Sequence, residues 1–348
     1  MHILIVKLGS IGDIVHTLPT LAAMRRAMPD AQISWVVEHK AAEILRGNSM
    51  LDNLIEIDTR HVLGKPLAET SKQIRDLRTF KFDVAIDFQG LWKSAFIAKI
   101  SGAAKIWGFS TDTLREPSCR ILLTDTVRPA PRTHVIKKNL ELAGGALGIA
   151  VSEDKLEFPI STSSEHFAEA KSIVEKVGCD KFALLNPGGG WVTKLWPAAN
   201  FGELADRLWE TMGIASVIAT GPNEEALSAQ VIAASRTGRA VPARPSLKGF
   251  YELARRASVY VGGDTGPTHL AIAAETPVVG LFGPTEWWRN GSLNPDDICV
   301  ERVDISCRTD CHRRTCSQWI CMDTNTDIVY TAVSRRIALA LGEAAIQQ

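Results

Sequence analysis

Short apolar runs alternate along this chain with longer stretches of helical period. His2–Leu8, Ile33–Glu38, Leu54–Ile57 and Phe82–Asp87 read as strands. They are near-continuous apolar runs, the mark of strands buried on both faces. Ile14–Met28 reads as a helix that stops at Pro29-Asp30, and helix-like stretches separate the later strands. This is the βαβ rhythm of a parallel sheet. The rhythm weakens between Arg115 and Thr133, where Arg, Pro and Thr accumulate. A second series starts near Phe182, with strands at Phe182–Asn186, Ser216–Thr220, Ser258–Val261 and Val278–Phe282. Pro197 opens a helix at the favoured first position. Asp327–Leu341 reads as one amphipathic helix.

The pattern predicts an α/β protein of two doubly wound, Rossmann-like domains facing a central cleft. The polar stretch Pro159–Ser164 marks the boundary. The expected division is 1–160, 161–325, and a C-terminal helix in 326–348 that packs back on the N-terminal domain. At 348 residues the chain can bury two cores without disulfides or metals.

Charge narrows the function classes. Lys plus Arg and Asp plus Glu are 39 each, so the net charge is zero, which weighs against a nucleic-acid binder. From Arg60 to Lys138, however, fifteen Lys/Arg face seven Asp/Glu, a local excess of +8. Such asymmetry fits either an anionic partner on one face or a solvated surface. No apolar run is long enough to span a bilayer. The N-terminus lacks a charged leader and a small-residue cleavage site, so a cytosolic protein with reduced cysteines is expected.

In open α/β sheets ligands bind beyond the carboxyl ends of the strands. Three post-strand loops carry candidate chemistry. Lys7-Leu8-Gly9-Ser10-Ile11-Gly12-Asp13 follows the first strand. It lacks the third glycine of a dinucleotide fingerprint, which weighs against a nicotinamide oxidoreductase. Asp13 there can cap a helix or act as a general base towards an incoming hydroxyl. Asn186-Pro187-Gly188-Gly189-Gly190, with Lys194 before the next helix, has the elements of an anion site, although it is not a P-loop. Gly262-Gly263-Asp264-Thr265-Gly266-Pro267-Thr268-His269 is a second strand-to-helix turn whose N–H groups can face a phosphate. Its single Asp-Thr-Gly in an α/β setting excludes an aspartic protease, which needs paired copies.

These loops, in this order, resemble the ADP-heptose:lipopolysaccharide heptosyltransferases, inverting glycosyltransferases of the two-domain GT-B fold. The resemblance rests on Gly12-Asp13 with His16-Thr17-Leu18-Pro19, on Asp87-Phe88-Gln89-Gly90-Leu91-Trp92-Lys93-Ser94, and on Arg115-Glu116-Pro117. It continues through Lys194-Leu195-Trp196-Pro197, Asp264–His269 and Gly283-Pro284-Thr285. Arg115-Glu116-Pro117 points to the members that add the first heptose to Kdo. A sister enzyme adding a later core sugar is the alternative.

The resemblance implies Asp13 as catalytic base and Lys194 on the donor diphosphate. Asp264, Thr265, Gly266 and His269 would hold the phosphates and the heptose, and Gly12 would line the donor site. Glu224 would bind the ribose, with Glu225 the alternative. The sequence departs from the pattern at Gly189 and Gly190, where the related loop has threonines, so backbone N–H groups or Thr193 must replace their hydrogen bonds. Ser10, Arg60, Lys93, Arg115, Arg120, His134, Lys137 and Lys138 are the candidates for an anionic Kdo-lipid A acceptor, for which guanidinium groups are well shaped. The implied donor is ADP-heptose, with no cofactor required, and the implied place is the inner face of the inner membrane, as a peripheral protein.

Cys307, Cys311, Cys316 and Cys321 form a separate cluster. Four thiolates suit tetrahedral zinc, but the spacing is not the paired Cys-x2-Cys form, so reduced thiols are expected there.

Overall fold

A computed structural model of the chain describes residues 1–58, 75–152, 156–179 and 181–346. The chain divides into two compact units, Met1–Ser161 and Thr162–Gln348.

The first unit is built on a six-stranded parallel sheet in the order β3-β2-β1-β4-β5-β6. Its strands are β1 (His2–Val6), β2 (Gln32–Glu38), β3 (Asn53–Ile57), β4 (Val84–Asp87), β5 (Lys105–Phe109) and β6 (Asp125–Val127). β1 is central and buried throughout; it pairs β2 through Ile3↔Ile33 and β4 through Ile3↔Val84. The expected single helix after β1 is two helices, α1 (Ile11–Val15) and α2 (Leu18–Ala27). Pro19 in the first turn of α2 cannot donate to the preceding turn, so the helix breaks at His16-Thr17. α3 (Trp92–Ile100) follows β4 and α4 (Val135–Leu147) follows β6. The stretch from Arg115 to Thr133 holds a 3₁₀ turn, Pro117–Leu122, and the short β6.

The second unit repeats this plan with the order β12-β11-β10-β7-β8-β9. Its strands are β7 (Phe182–Asn186), β8 (Ala215–Ala219), β9 (Ala240–Ala243), β10 (Val259–Gly263), β11 (Val278–Phe282) and β12 (Ile298–Glu301). The main helices are α5 (Ser164–Val177), α6 (Ala198–Met212), α7 (Glu225–Ala234), α8 (Leu247–Ala254) and α9 (Gly266–Ala273). Pro197 caps α6 rather than occupying its first turn. The core joins Trp196 and Phe201, packed edge-to-face at 4.8 Å, to Leu185, Val261 and Leu281.

The last long helix is α10 (Thr326–Ile346). Its apolar stripe of Val329, Ala332 and Val333 lies in the core of the second unit. The helix packs on α6 and on β10 to β12, and polar contacts fix it there: Tyr330 to Thr211 at 2.9 Å and Arg336 to Asp297 at 2.8 Å. A stripe at i, i+3 and i+4 shows that one face is buried, but not which surface covers it.

In both sheets the winding direction reverses between two central strands, β1 and β4 in the first and β7 and β10 in the second. Such switch points leave a crevice at the carboxyl edge, where ligands bind in doubly wound sheets.

Candidate functional site

In the first unit, the loop after β1 carries Asp13 to the switch point. Ser10 is the N-cap of α1, and its backbone N–H donates to Asp13 Oδ2 at 3.1 Å. The Ser10 hydroxyl stands 3.5 Å from the same oxygen. Asp13 therefore does cap its helix, yet its side chain remains 38% exposed and open to a ligand. Its other oxygen, Oδ1, faces Lys7 Nζ at 3.8 Å. Lys7 is only 4% exposed and donates to the Phe88 carbonyl at 2.8 Å. Sequence reasoning passed over this lysine because it reads as a polar break at the end of a strand.

Asp87 ends β4 and is fully buried. It accepts from the N–H groups of Gln89 (2.9 Å) and Gly90 (3.2 Å) and from the Ser94 hydroxyl (3.0 Å). Burial pushes its carboxyl up to about 6, against the pull of these donors and of Lys7. The turn needs glycine at Gly90, whose φ is +69°. Asp87–Ser94 is thus the brace that presents the Phe88 carbonyl to Lys7.

The proposed acceptor residues separate on inspection. Lys93 is neutralised by Glu38 at 2.7 Å, and Arg120 donates to the Leu123 carbonyl at 2.7 Å. His134 is buried as the N-cap of α4, accepting from Ile136 N at 3.2 Å, with its ring edge-on to His16. Ser10 and Arg115 are exposed, while Lys137 and Lys138 are half-buried. Arg60 lies outside the described residues.

In the second unit, β7 and β10 run in register with Asn186 beside Gly262, so the loops that follow them are neighbours. Lys194 closes a 3₁₀ turn, Val192–Lys194, after β7. Its Nζ donates to Asp264 Oδ2 at 2.6 Å and to the Asp264 carbonyl at 3.0 Å. An ammonium has three N–H bonds, so these leave one for a ligand. The ammonium also lies 4.3 Å from the centre of the Trp191 ring. Gly263 permits this approach: a Cβ there would stand 2.9 Å from the Lys194 carbonyl oxygen.

Asp264 is buried among Lys194, His269 Nε2 at 3.3 Å and Asn290 Nδ2 at 2.5 Å. Burial alone would raise its carboxyl, but the His269 bond and the Lys194 charge prevail and hold it well below the usual range. His269 sits in the first turn of α9, and Thr265 and Gly266 form its N-terminus. A helix start beside a lysine is a place for a phosphate.

Glu224 links the loops after β7 and β8. It accepts from Gly221 N at 2.7 Å and Gly189 N at 3.2 Å, and a Cβ at Gly188 would collide with its carboxylate. Glu225 instead pairs with exposed Arg244. The Gly189 N–H is occupied by Glu224, which leaves Gly190 as the open glycine of the loop, with no atom within 4 Å of an added Cβ. Thr193 is 1% exposed and its hydroxyl donates to the Arg313 carbonyl at 2.7 Å, which anchors the loop.

The cysteine segment lies against this loop. Arg308 is buried and ties it to the Gly283 carbonyl (3.1 Å) and to Glu301 (2.7 Å), while His312 N donates to the Pro284 carbonyl at 2.9 Å. The Arg314 guanidinium stacks on Trp191 at 5.2 Å. Gly283-Pro284-Thr285 is therefore a docking point for the segment. All four cysteines are free thiols, and among the described residues no group of three or more His, Cys, Asp or Glu is arranged to hold a metal. Burial and the neighbouring cysteines push the Cys321 thiol up.

Comparison with known proteins agrees with this architecture. The sequence model of glycosyltransferase family 9 (heptosyltransferase) matches residues 70–320. Lipopolysaccharide heptosyltransferase 1 of Pseudomonas aeruginosa is 32% identical over 324 residues, 91% of this chain and 88% of that protein. The enzyme of the same name from Salmonella typhimurium is 30% identical over 293 residues, 82% of this chain and 89% of that protein. The E. coli heptosyltransferase WaaC with ADP-2-deoxy-2-fluoro heptose superposes with a TM-score of 0.71 at 26% identity, covering 86% of this chain and 93% of that one. The fold is GT-B and the protein is a glycosyltransferase. It belongs to family 9, the heptosyltransferases.

Proposed function

We propose that the enzyme transfers L-glycero-D-manno-heptose from ADP-heptose to Kdo of Kdo-lipid A, with inversion at the anomeric carbon. The observation that carries this reading is the charged pair at each switch point: Asp13 with Lys7 in one unit, Lys194 with Asp264 in the other. The likeness to heptosyltransferase 1 proteins over most of the chain supports the choice of first heptose. An ADP-heptose analogue in the E. coli relative supports the donor.

The chemistry follows from the groups present. The acceptor hydroxyl oxygen attacks the anomeric carbon and its proton passes to the Asp13 carboxylate. The bond from that carbon to the ADP oxygen breaks, and ADP leaves with the electron pair. The remaining N–H of Lys194 and the N-terminus of α9 at Thr265 and Gly266 take up the charge on the diphosphate. In this reading Glu224, which bridges the loops after β7 and β8, accepts from a ribose hydroxyl. Among the acceptor candidates, Arg115 is exposed and its guanidinium suits an acceptor carboxylate or phosphate. No helix among the described residues is long and apolar enough to cross a membrane. This reading has the enzyme meeting its lipid acceptor from the cytoplasmic face as a peripheral protein.

The test is a transfer assay with ADP-heptose and Kdo₂-lipid A, weighing the lipid by mass spectrometry. A gain of one heptose is expected. No gain with ADP still bound would move the acceptor to a later core sugar. No gain and no nucleotide binding would overturn the donor reading as well.

A further inference from the structure

We infer that Lys7 is the positioning residue for the base, fixing the Asp13 carboxylate in the orientation from which it takes the acceptor proton. The inference rests on Asp13 being that base.

Lys7 is not a surface lysine. Its residue is 4% exposed, and its main chain is held by its neighbours: its N–H donates to the Val36 carbonyl at 3.4 Å, and its carbonyl accepts from Trp35 Nε1 at 3.0 Å. A buried ammonium requires partners. Lys7 Nζ has the Phe88 carbonyl at 2.8 Å, a dipole rather than a charge. Two carboxylates are near enough to balance it. Asp87 is already engaged with three donors, from Gln89, Gly90 and Ser94. Asp13 has one oxygen towards Lys7 at 3.8 Å and the other on the Ser10 N–H at 3.1 Å.

This arrangement restrains both carboxylate oxygens of Asp13. Ser10 alone would fix one oxygen and leave the carboxylate free to turn about its last bond. Lys7 holds the second from beneath, on the buried side, while the exposed side stays open to the acceptor. Catalytic groups whose own rotamers are held by a supporting shell gain rate through orientation. Lys7 touches no reacting atom in this scheme and acts only through Asp13.

The test is a double-mutant cycle on the full-length enzyme, with product measured by mass spectrometry in long single-turnover reactions. Lys7→Met keeps the length of the stem and removes the charge. It should lower the transfer rate roughly 10- to 100-fold, with the KM for ADP-heptose within about twofold of wild type. Asp13→Asn should cost at least ~10². In the Asp13→Asn background, Lys7→Met should add less than about twofold, because no carboxylate remains to be oriented. Lys7→Gln, which keeps a donor for the Phe88 carbonyl, runs in the same cycle and replaces Lys7→Met if that variant does not fold. Equal losses from Lys7→Met in both backgrounds would make Lys7 a support of the fold alone and overturn the inference. So would a near-normal rate for Lys7→Met. Near-normal turnover in Asp13→Asn would remove the base itself, and the role of Lys7 with it, a result distinct from the other two.

Discussion

Lys194 and Asp264 form an ion pair at the carboxyl edge of the second sheet, with Nζ 2.6 Å from Oδ2 and side chains 13% and 6% exposed. The pair holds the loop after β7 against the loop after β10 and limits the freedom of the lysine side chain.

Removing the lysine alone leaves Asp264 buried with only His269 and Asn290. Breaking one side of such a pair costs about 3–5 kcal/mol. Lys194→Met is expected to lower both thermal stability and ADP affinity. Asp264→Asn in addition should recover part of the stability but none of the ADP affinity. Calorimetric titration with ADP beside thermal melts separates the two effects, and full recovery of ADP binding in the double variant would contradict the assignment.

Glu224 and Glu225 are adjacent but differ in surroundings. Glu224→Ala should weaken ADP binding by about 1.5–3 kcal/mol, the range for hydrogen bonds to a charged group. Glu225→Ala loses only an exposed pair with Arg244 and should leave ADP affinity unchanged. Calorimetry on the two variants checks this, and equal losses would reverse the choice of ribose ligand.

Asp206 offers a test of the fold away from the site. It is 1% exposed in α6 and accepts from the N–H groups of Arg236 and Thr237 and from the hydroxyls of Ser235 and Thr237. Burial opposes its ionised form, but these donors bring its carboxyl down to about 2. Because the folded value lies below the unfolded one near 3.8, the stabilisation is present above about pH 4 and is lost as pH falls towards 2. Asp206→Asn should thus cost about 2 kcal/mol at neutral pH, with the difference shrinking below pH 4 in urea titrations. A gap that is constant across this range would contradict the account.

For the cysteine segment the expected outcome is no metal. Elemental analysis of protein purified without chelator should find no stoichiometric zinc or iron, and a chelator should leave the melting temperature unchanged. The hold on this segment is Arg308, so Arg308→Met should destabilise it measurably in hydrogen exchange at residues 303–325.

Much of this fold was legible because its central strands are uniform apolar runs. β1, β4, β7 and β11 could be read directly. β5 and β6, near one edge, begin with Lys105 and Asp125, and β9 contains Pro242; they are short or half-exposed and carry no such run. Asp13, Lys194, Asp264 and His269 were legible because each follows a strand in a glycine-bearing loop. Lys7 was not, since only the fold shows that its ammonium turns inward. Asn290 reaches Asp264 across 26 residues of sequence and belongs to no motif. Nothing local in the sequence indicates that the Thr193 hydroxyl faces the Arg313 carbonyl.

The two sheets share one strand order, and in each a lysine from the loop after the first central strand reaches the end of the second. Lys7 reaches Phe88 beside Asp87, and Lys194 reaches Asp264. The halves differ in which partner keeps an unfilled valence. In the first it is a carboxylate, Asp13, with its outer side open to solvent. In the second it is the lysine, with one N–H unassigned. On the proposed mechanism, a single architectural plan yields a proton acceptor in one copy and an anion receptor in the other, the two complementary demands of moving a sugar from a diphosphate to a hydroxyl.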